Sequence, residues 1–225
     1  MRVIDFASFL DSTNLKPEAR EIDIEVLCRE AVKYNMAAVC IQPYRLAGAR
    51  SMLADSQVKL CTVIGFPLGA DRSDSKTYAA AKALEDGADE LDMVINIGAV
   101  KDGEYNKVIQ EIEAVLALKK LQNFTLKVIV ETALLTSQEL VKITEYISQT
   151  AADYIKTSTG FASRGVILAD LELISEHKSE VLKIKASGGI RDLDFALKLL
   201  QAGAARLGTS NARQLIEEYS LRVGP

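Results

Sequence analysis

The sequence predicts an α/β protein, a (β/α)8 TIM barrel with a short extra N-terminal helix, built by residues 1–225 as one domain. Three observations carry this. Short β-branched runs alternate with longer stretches of helical period along the whole chain. The runs number about eight, and parallel neighbours need a helical crossover between them. Neither G-x-G-x-x-G after a first strand nor a G-x-x-x-x-G-K loop occurs, so the fingerprints of open nucleotide-binding sheets are missing.

The predicted strands are a short one near Leu10 to Thr13, then Ala38 to Ile41, Lys59 to Ile64, Glu90 to Val94, Leu126 to Val130, Tyr154 to Lys156, Lys183 to Ala186 and Arg206 to Gly208. Between them, Ile24, Leu27, Cys28, Ala31 and Val32 form one apolar helical stripe, opened by Asp23 as N-cap. Tyr105, Val108, Ile109, Ile112, Val115 and Leu116 form another. Thr136-x-x-Glu139 reads as a capping box, and Gly87 and Gly203 stand where helices should stop. No linker or low-complexity tract divides the chain.

With 27 basic and 31 acidic residues the net charge is −4, the wrong sign for a general binder of nucleic acid or anionic membrane. No apolar stretch approaches the roughly 18 residues of a membrane span. Cys28, Cys40 and Cys61 lack C-x-x-C spacing, which points to reduced thiols and a cytoplasmic location. The one histidine, His177, lies in a polar helical stretch and reads as a surface residue, so no zinc site or histidine triad is expected.

Three helix-to-strand junctions repeat: EDGADELD, SQTAADYIK and LQAGAARLG. Four residues beyond Ala88, Ala152 and Ala204 lie Asp92, Lys156 and Gly208. Strand side chains alternate faces, so equal offsets put these three on the inner face, near the carboxyl ends of strands four, six and eight. The same parity turns Glu90 and Arg206 inward two residues lower, with Lys127 and Lys183 as candidates to join them. A paired belt is expected, because buried unpaired charge costs several kcal/mol.

Lys156, Lys185 and Asp92 all end hydrophobic strands. Burial and a like-charged neighbour both disfavour the ammonium form, and a neutral lysine can attack a carbonyl to form a Schiff base. Asp92 would then move protons. The competing reading of each lysine is a snorkelling or ion-paired side chain, and of Asp92 a structural ion-pair partner. The glycine-rich loops holding Gly160, Gly188, Gly189, Gly208 and Ser210 suit a phosphate, with Arg191 as an auxiliary; ordinary tight turns would use the same residues. Asp11, Thr13 and Cys40 are weaker candidates for the pocket lining, and Glu131 for a lysine's partner.

These segments together resemble deoxyribose-phosphate aldolase, a class I aldolase family. The resemblance runs from DSTNLKP through AAVCIQP, VIGFPLGA, GADELDMVIN and KVIVETALLT to DYIKTSTGF, KASGGIRD and RLGTSN. It implies that Lys156 is the Schiff-base lysine, Lys185 the second lysine that lowers its pKa, and Asp92 the proton-transfer aspartate. It further implies phosphate loops at Gly160, Gly188, Gly189, Gly208 and Ser210, a sugar-phosphate substrate, no cofactor or metal, and a homodimer. The chain departs from the family in reading Asp11-Ser12-Thr13 where DHT is frequent, in Asn211 where serine is frequent, and in the acidity of ADRSDSK. Two other readings fit the scaffold: a metal-dependent sugar-phosphate enzyme, and a silent sugar-phosphate binder.

Overall fold

The computed structural model describes residues 2–224. Its eight strands are β1 (Leu10–Asn14), β2 (Ala38–Ile41), β3 (Lys59–Ile64), β4 (Glu90–Val94), β5 (Thr125–Ile129), β6 (Tyr154–Lys156), β7 (Lys183–Ser187) and β8 (Ala204–Thr209). All neighbours run parallel, and β1 pairs with both β2 and β8, which closes the barrel. The strand order around the barrel is the sequence order. Helices α1 (Val3–Ala7), α2 (Glu21–Tyr34), α3 (Leu46–Leu53), α4 (Ser73–Glu85), α5 (Ile97–Lys101), α6 (Tyr105–Leu116), α7 (Ser137–Ile147), α8 (Leu168–His177), α9 (Leu193–Gln201) and α10 (Ala212–Val223) complete the described chain.

The alternation of strand side chains separates two cores. Val39, Leu60, Leu91, Val128, Ile155, Ile184 and Leu207 belong to the large apolar cluster shared with the helices. Inside the barrel, Leu15, Ala38, Cys40, Cys61 and Val63 form a small second cluster, and charged residues from β1, β4, β5, β6, β7 and β8 fill the remainder. The short helix α1 is held by Phe6 stacking on Tyr219 of α10, ring centroids 4.7 Å apart.

Local signals held at most junctions. Thr136 and Glu139 make both bonds of the capping box at α7, and Gly87 and Gly203 take positive φ after α4 and α9. Asp23 is not the N-cap of α2. It sits three residues inside, where its carboxylate accepts from the Arg20 N–H at 2.9 Å and from the Arg20 guanidinium. Strand β5 begins one residue earlier than expected and β8 two. The acidic ADRSDSK stretch hides a buried cation: Lys76 Nζ lies 2.8 Å from Glu111 of α6 and 2.8 Å from the Val94 carbonyl oxygen. Among the described residues no helix is long and apolar enough to cross a membrane.

Candidate active site

Six charged side chains close into a ring inside the barrel. Arg206 donates to Asp11 Oδ1 at 2.8 Å and to Glu90 Oε1 at 2.7 Å. Lys127 Nζ lies 2.6 Å from Glu90 Oε2 and 2.8 Å from Asp92 Oδ1. Lys185 donates to Asp92 Oδ2 at 2.7 Å and also bonds Asp11, completing the circuit. Acid and base alternate around it, so three carboxylates balance three cations. Lys156 is the seventh member, attached among the described residues through Asp92 Oδ2 at 2.7 Å. The predicted Glu90–Arg206 pair and the inward Lys127 are therefore present. Lys183 is not in the belt: at the first position of β7 its side chain is exposed and lies over the Tyr154 ring.

Above the ring opens a cavity of about 420 Å³ at the carboxyl ends of the strands. Lys156 is the ring-linked residue that reaches it, together with Thr13, Gly160, Gly188, Gly189, Gly208 and Ser210. Gly188 and Gly189 both take positive φ, 83° and 76°, a turn that side chains with a Cβ rarely adopt. It sends the chain from β7 towards α9 past the cavity. Gly208 is glycine for a different reason: a Cβ there would stand 3.1 Å from Cε of Lys185. At the end of β8 the chain enters α10, whose N-terminal end abuts the cavity at Asn211. Backbone N–H groups at glycine turns, a helix start, Lys16 and Arg191 together give this wall the chemistry of an anion site.

Residues 8–215 match the family model described as DeoC/LacD family aldolase. The chain belongs to this aldolase family. It is 46% identical over 216 residues to a deoxyribose-phosphate aldolase of Thermococcus gammatolerans, covering 95% of this chain and 96% of that one. It is 44% identical over 220 residues to one of Natranaerobius thermophilus, covering 98% and 100%. A tetrameric deoxyribose phosphate aldolase from Aeropyrum pernix superimposes with a TM-score of 0.90 at 33% identity, over 97% of this chain and 92% of that one.

In this aldolase the weaker candidates fall at two depths. Thr13 lines the cavity, whereas Asp11 and Cys40 are buried below it and do not. Asp11 serves the ring, and Cys40 Sγ packs 3.9 Å from Asp92 Oδ2. Asp92 and Lys185 also lie beneath the cavity wall, both fully buried. Ser12 falls between the inward positions 11 and 13, so its side chain turns away from the barrel interior. Asn211 does line the cavity, but its amide donates to Gln214 at 3.1 Å. His177 lies on α8 with Nδ1 3.3 Å from Glu145.

Glu131 has a different partner from the one expected. Its carboxylate accepts from the Thr159 N–H at 3.0 Å and from the Thr159 hydroxyl, rather than pairing with a lysine. Its backbone adopts φ 53°, and it is 2% exposed with Oε1 unbonded. Strained, buried polar residues of this kind persist where the surroundings over-determine them; here it holds the loop that ends in Gly160. Sequence reasoning also missed Gly165, whose added Cβ would meet the Gly188 carbonyl oxygen at 2.0 Å. Phe161 was missed as well; it lines the cavity and meets Phe66 edge-on at 5.3 Å. The STGF and IGF segments were the only signal for that contact.

Charge states follow from the ring. Burial pushes the Asp92 carboxyl up, but Lys127, Lys156 and Lys185 outweigh it and hold it well below the usual carboxylate range. Burial pulls Lys185 down, yet Asp11 and Asp92 raise it above an ordinary lysine. Lys127 is likewise raised against its burial, by Asp92 first. Two lysines depressing one another was the expectation; Lys185 corrects it, because two carboxylates bond it directly and outweigh Lys127.

Burial raises Asp11, but Arg206, Lys185 and Lys127 bring it down to about 2 from 3.8. A carboxyl with a depressed folded-state pKa stabilises the fold above its unfolded pKa and loses that contribution as pH falls through the folded one. Stability should therefore drop by about 2 kcal/mol from this group between about pH 4 and about pH 2. Urea midpoints measured down through that window check it; a flat profile would show that the ring does not hold Asp11.

Proposed function

We propose that this aldolase reversibly cleaves 2-deoxy-D-ribose 5-phosphate to D-glyceraldehyde 3-phosphate and acetaldehyde, through a Schiff base on Lys156. The single observation that carries the assignment is the surplus base. The ring is electrically balanced without Lys156, so the assembly is neutral when Lys156 is the free amine, and Lys156 is the base facing the cavity.

The amine attacks the aldehyde carbon, and the carbinolamine loses water to give an iminium ion. Asp92 and Lys185, joined at Oδ2, relay protons to and from Lys156. The iminium draws the electron pair of the bond between the second and third carbons as the 3-hydroxyl gives up its proton. Glyceraldehyde phosphate departs from the glycine-loop wall. The remaining enamine is protonated on carbon and hydrolysed, releasing acetaldehyde and restoring the amine. The ring supplies fixed charge beside these steps from buried side chains, where such charge acts strongly.

Borohydride added with substrate should fix the sugar or acetaldehyde carbon on the tryptic peptide containing Lys156, and a label found elsewhere would overturn the assignment. Aldehyde release should persist in EDTA, since the reading needs no metal or other cofactor; loss of activity on chelation would favour the metal-dependent alternative. Substrate binding without turnover would favour a silent binder.

The phosphate wall gives a further expectation. Gly165→Ala must shift the Gly188 turn. It should raise KM for the phosphorylated sugar by roughly tenfold, in keeping with about 1–3 kcal/mol for such overpacking. The effect on unphosphorylated deoxyribose should be much smaller, and an equal effect on both would remove Gly188 from phosphate binding.

The same reading takes residues 1–225 as one cooperative domain, with a single unfolding transition. It takes the reducing cytoplasm as the compartment, supported by three free, buried cysteines. It takes two identical chains as the assembly. The Aeropyrum pernix relative is a tetramer, and sedimentation velocity separates one, two and four copies.

A further inference from the structure

Cys40 and Cys61 are paired residues of the adjacent parallel strands β2 and β3. Both face the barrel interior, in the small cluster with Ala38 and Val63. Neighbouring strands run ~4.8 Å apart, within the Cα separation that a disulfide spans. Both thiols are free and fully buried, and both converge on one carboxylate. Cys61 Sγ lies 3.2 Å from Asp92 Oδ1, Cys40 Sγ 3.9 Å from Asp92 Oδ2, and the two sulfurs lie within 4.8 Å of each other. The mechanism uses neither.

We propose that Cys40 and Cys61 form an oxidation site beneath the reacting amine, where a peroxide couples them into a disulfide and draws both sulfurs away from Asp92. The route in is the cavity, because the Asp92 oxygen that Cys40 approaches is the one Lys156 holds from above. The Cys40 sulfur attacks one peroxide oxygen and breaks the O–O bond, giving a sulfenic acid and one molecule of water or alcohol. The Cys61 sulfur then attacks that sulfenic sulfur, and its hydroxyl leaves as water with the Cys61 proton. Two thiols are oxidised and one peroxide is reduced. Cys40 suits the first step, since its hydrogen bond with Cys61 lowers its pKa, while burial raises that of Cys61.

Two thiols and a carboxylate at this spacing also resemble a site for a thiophilic metal ion. Electrostatics favours the disulfide. A dication would enter where Lys127 Nζ is 3.3 Å from Cys61 Sγ, with Lys156 and Lys185 on the same carboxylate; oxidation adds no charge. An S–S bond of ~2.04 Å pulls Cys61 from the carboxylate that Lys156 depends on, so the disulfide should switch the enzyme off. That consequence rests on the proposed aldolase chemistry; formation of the bond does not.

Stoichiometric hydrogen peroxide on the intact protein should remove two hydrogen atoms by mass and join the tryptic peptides 34–45 and 60–72, leaving Cys28 a thiol. Aldehyde release should fall roughly tenfold or more, the scale of a misplaced catalytic group, and return with dithiothreitol. Cys61→Ala and Cys40→Ala, each compared with its own untreated sample, should lose the joined peptide and this reversible inactivation. Sulfinic acid on separate cysteines with no joined peptide would overturn the site, as would recovery with a chelator in place of the reductant. A joined peptide in a protein with no aldolase activity would uphold the site and sink the function instead.

Discussion

Lys156→Met is expected to abolish borohydride trapping and to lower aldehyde release by roughly 10⁴-fold or more, the usual consequence of deleting a covalent nucleophile. Methionine fills a similar volume but brings no amine. The same substitution should leave stability unchanged or raise it by about 1 kcal/mol, since the three ring carboxylates are balanced by Arg206, Lys127 and Lys185 without Lys156. Lys185→Met makes the contrast. It leaves Asp11 and Asp92 each short of a buried partner, so it should lose activity and also unfold at markedly lower denaturant. Trapping, turnover and urea midpoints on the two variants separate a nucleophile from a ring member. An adduct surviving in Lys156→Met, or two variants equally destabilised, would refute the assignment.

Asp92→Asn should damage both stability and chemistry. Its carboxylate touches Lys127 at 2.8 Å and Lys156 and Lys185 at 2.7 Å, and is fully buried. Removing one partner of a buried ion pair costs about 3–5 kcal/mol, because the remaining charge stays desolvated. For a chain of this size that lowers the melting temperature by on the order of 10 °C. Turnover should fall by roughly 10²–10⁴-fold with the loss of proton transfer at Lys156. Calorimetry and steady-state kinetics on one preparation test both effects. A stable variant with lost turnover would mean that the ring is not held by Asp92; the reverse would free this residue from catalysis.

Much of this site was legible in the residues. The repeated junctions before β4, β6 and β8 put Asp92, Lys156 and Gly208 on one face, because strand side chains alternate with period two whatever the barrel does around them. The same count found Glu90 and Arg206. It failed for Lys183, which shares the inward parity but sits at the strand's first residue, where the end of the barrel is open. Asp11 and Cys40 were placed in the cavity lining because sequence gives the face of a strand more readily than depth along the barrel axis. Glu131 was assigned a lysine on charge alone, and the structure gave it the Thr159 hydroxyl and N–H instead.

The chain's own periodicities were enough to determine eight strands, their crossovers, which side chains turn inward and which motifs gather at the carboxyl ends. Each of those properties depends on neighbours a few residues away. Which lysine pairs into the ring and which reaches the cavity was decided only by closure of the barrel. That closure carries residue 11 to residues 185 and 206, and it leaves Lys185 between two carboxylates while Lys156 reaches the cavity with one. The charge on a buried amine is fixed by what surrounds it in space, over sequence separations of 35 to 174 residues, and local pattern does not contain that information.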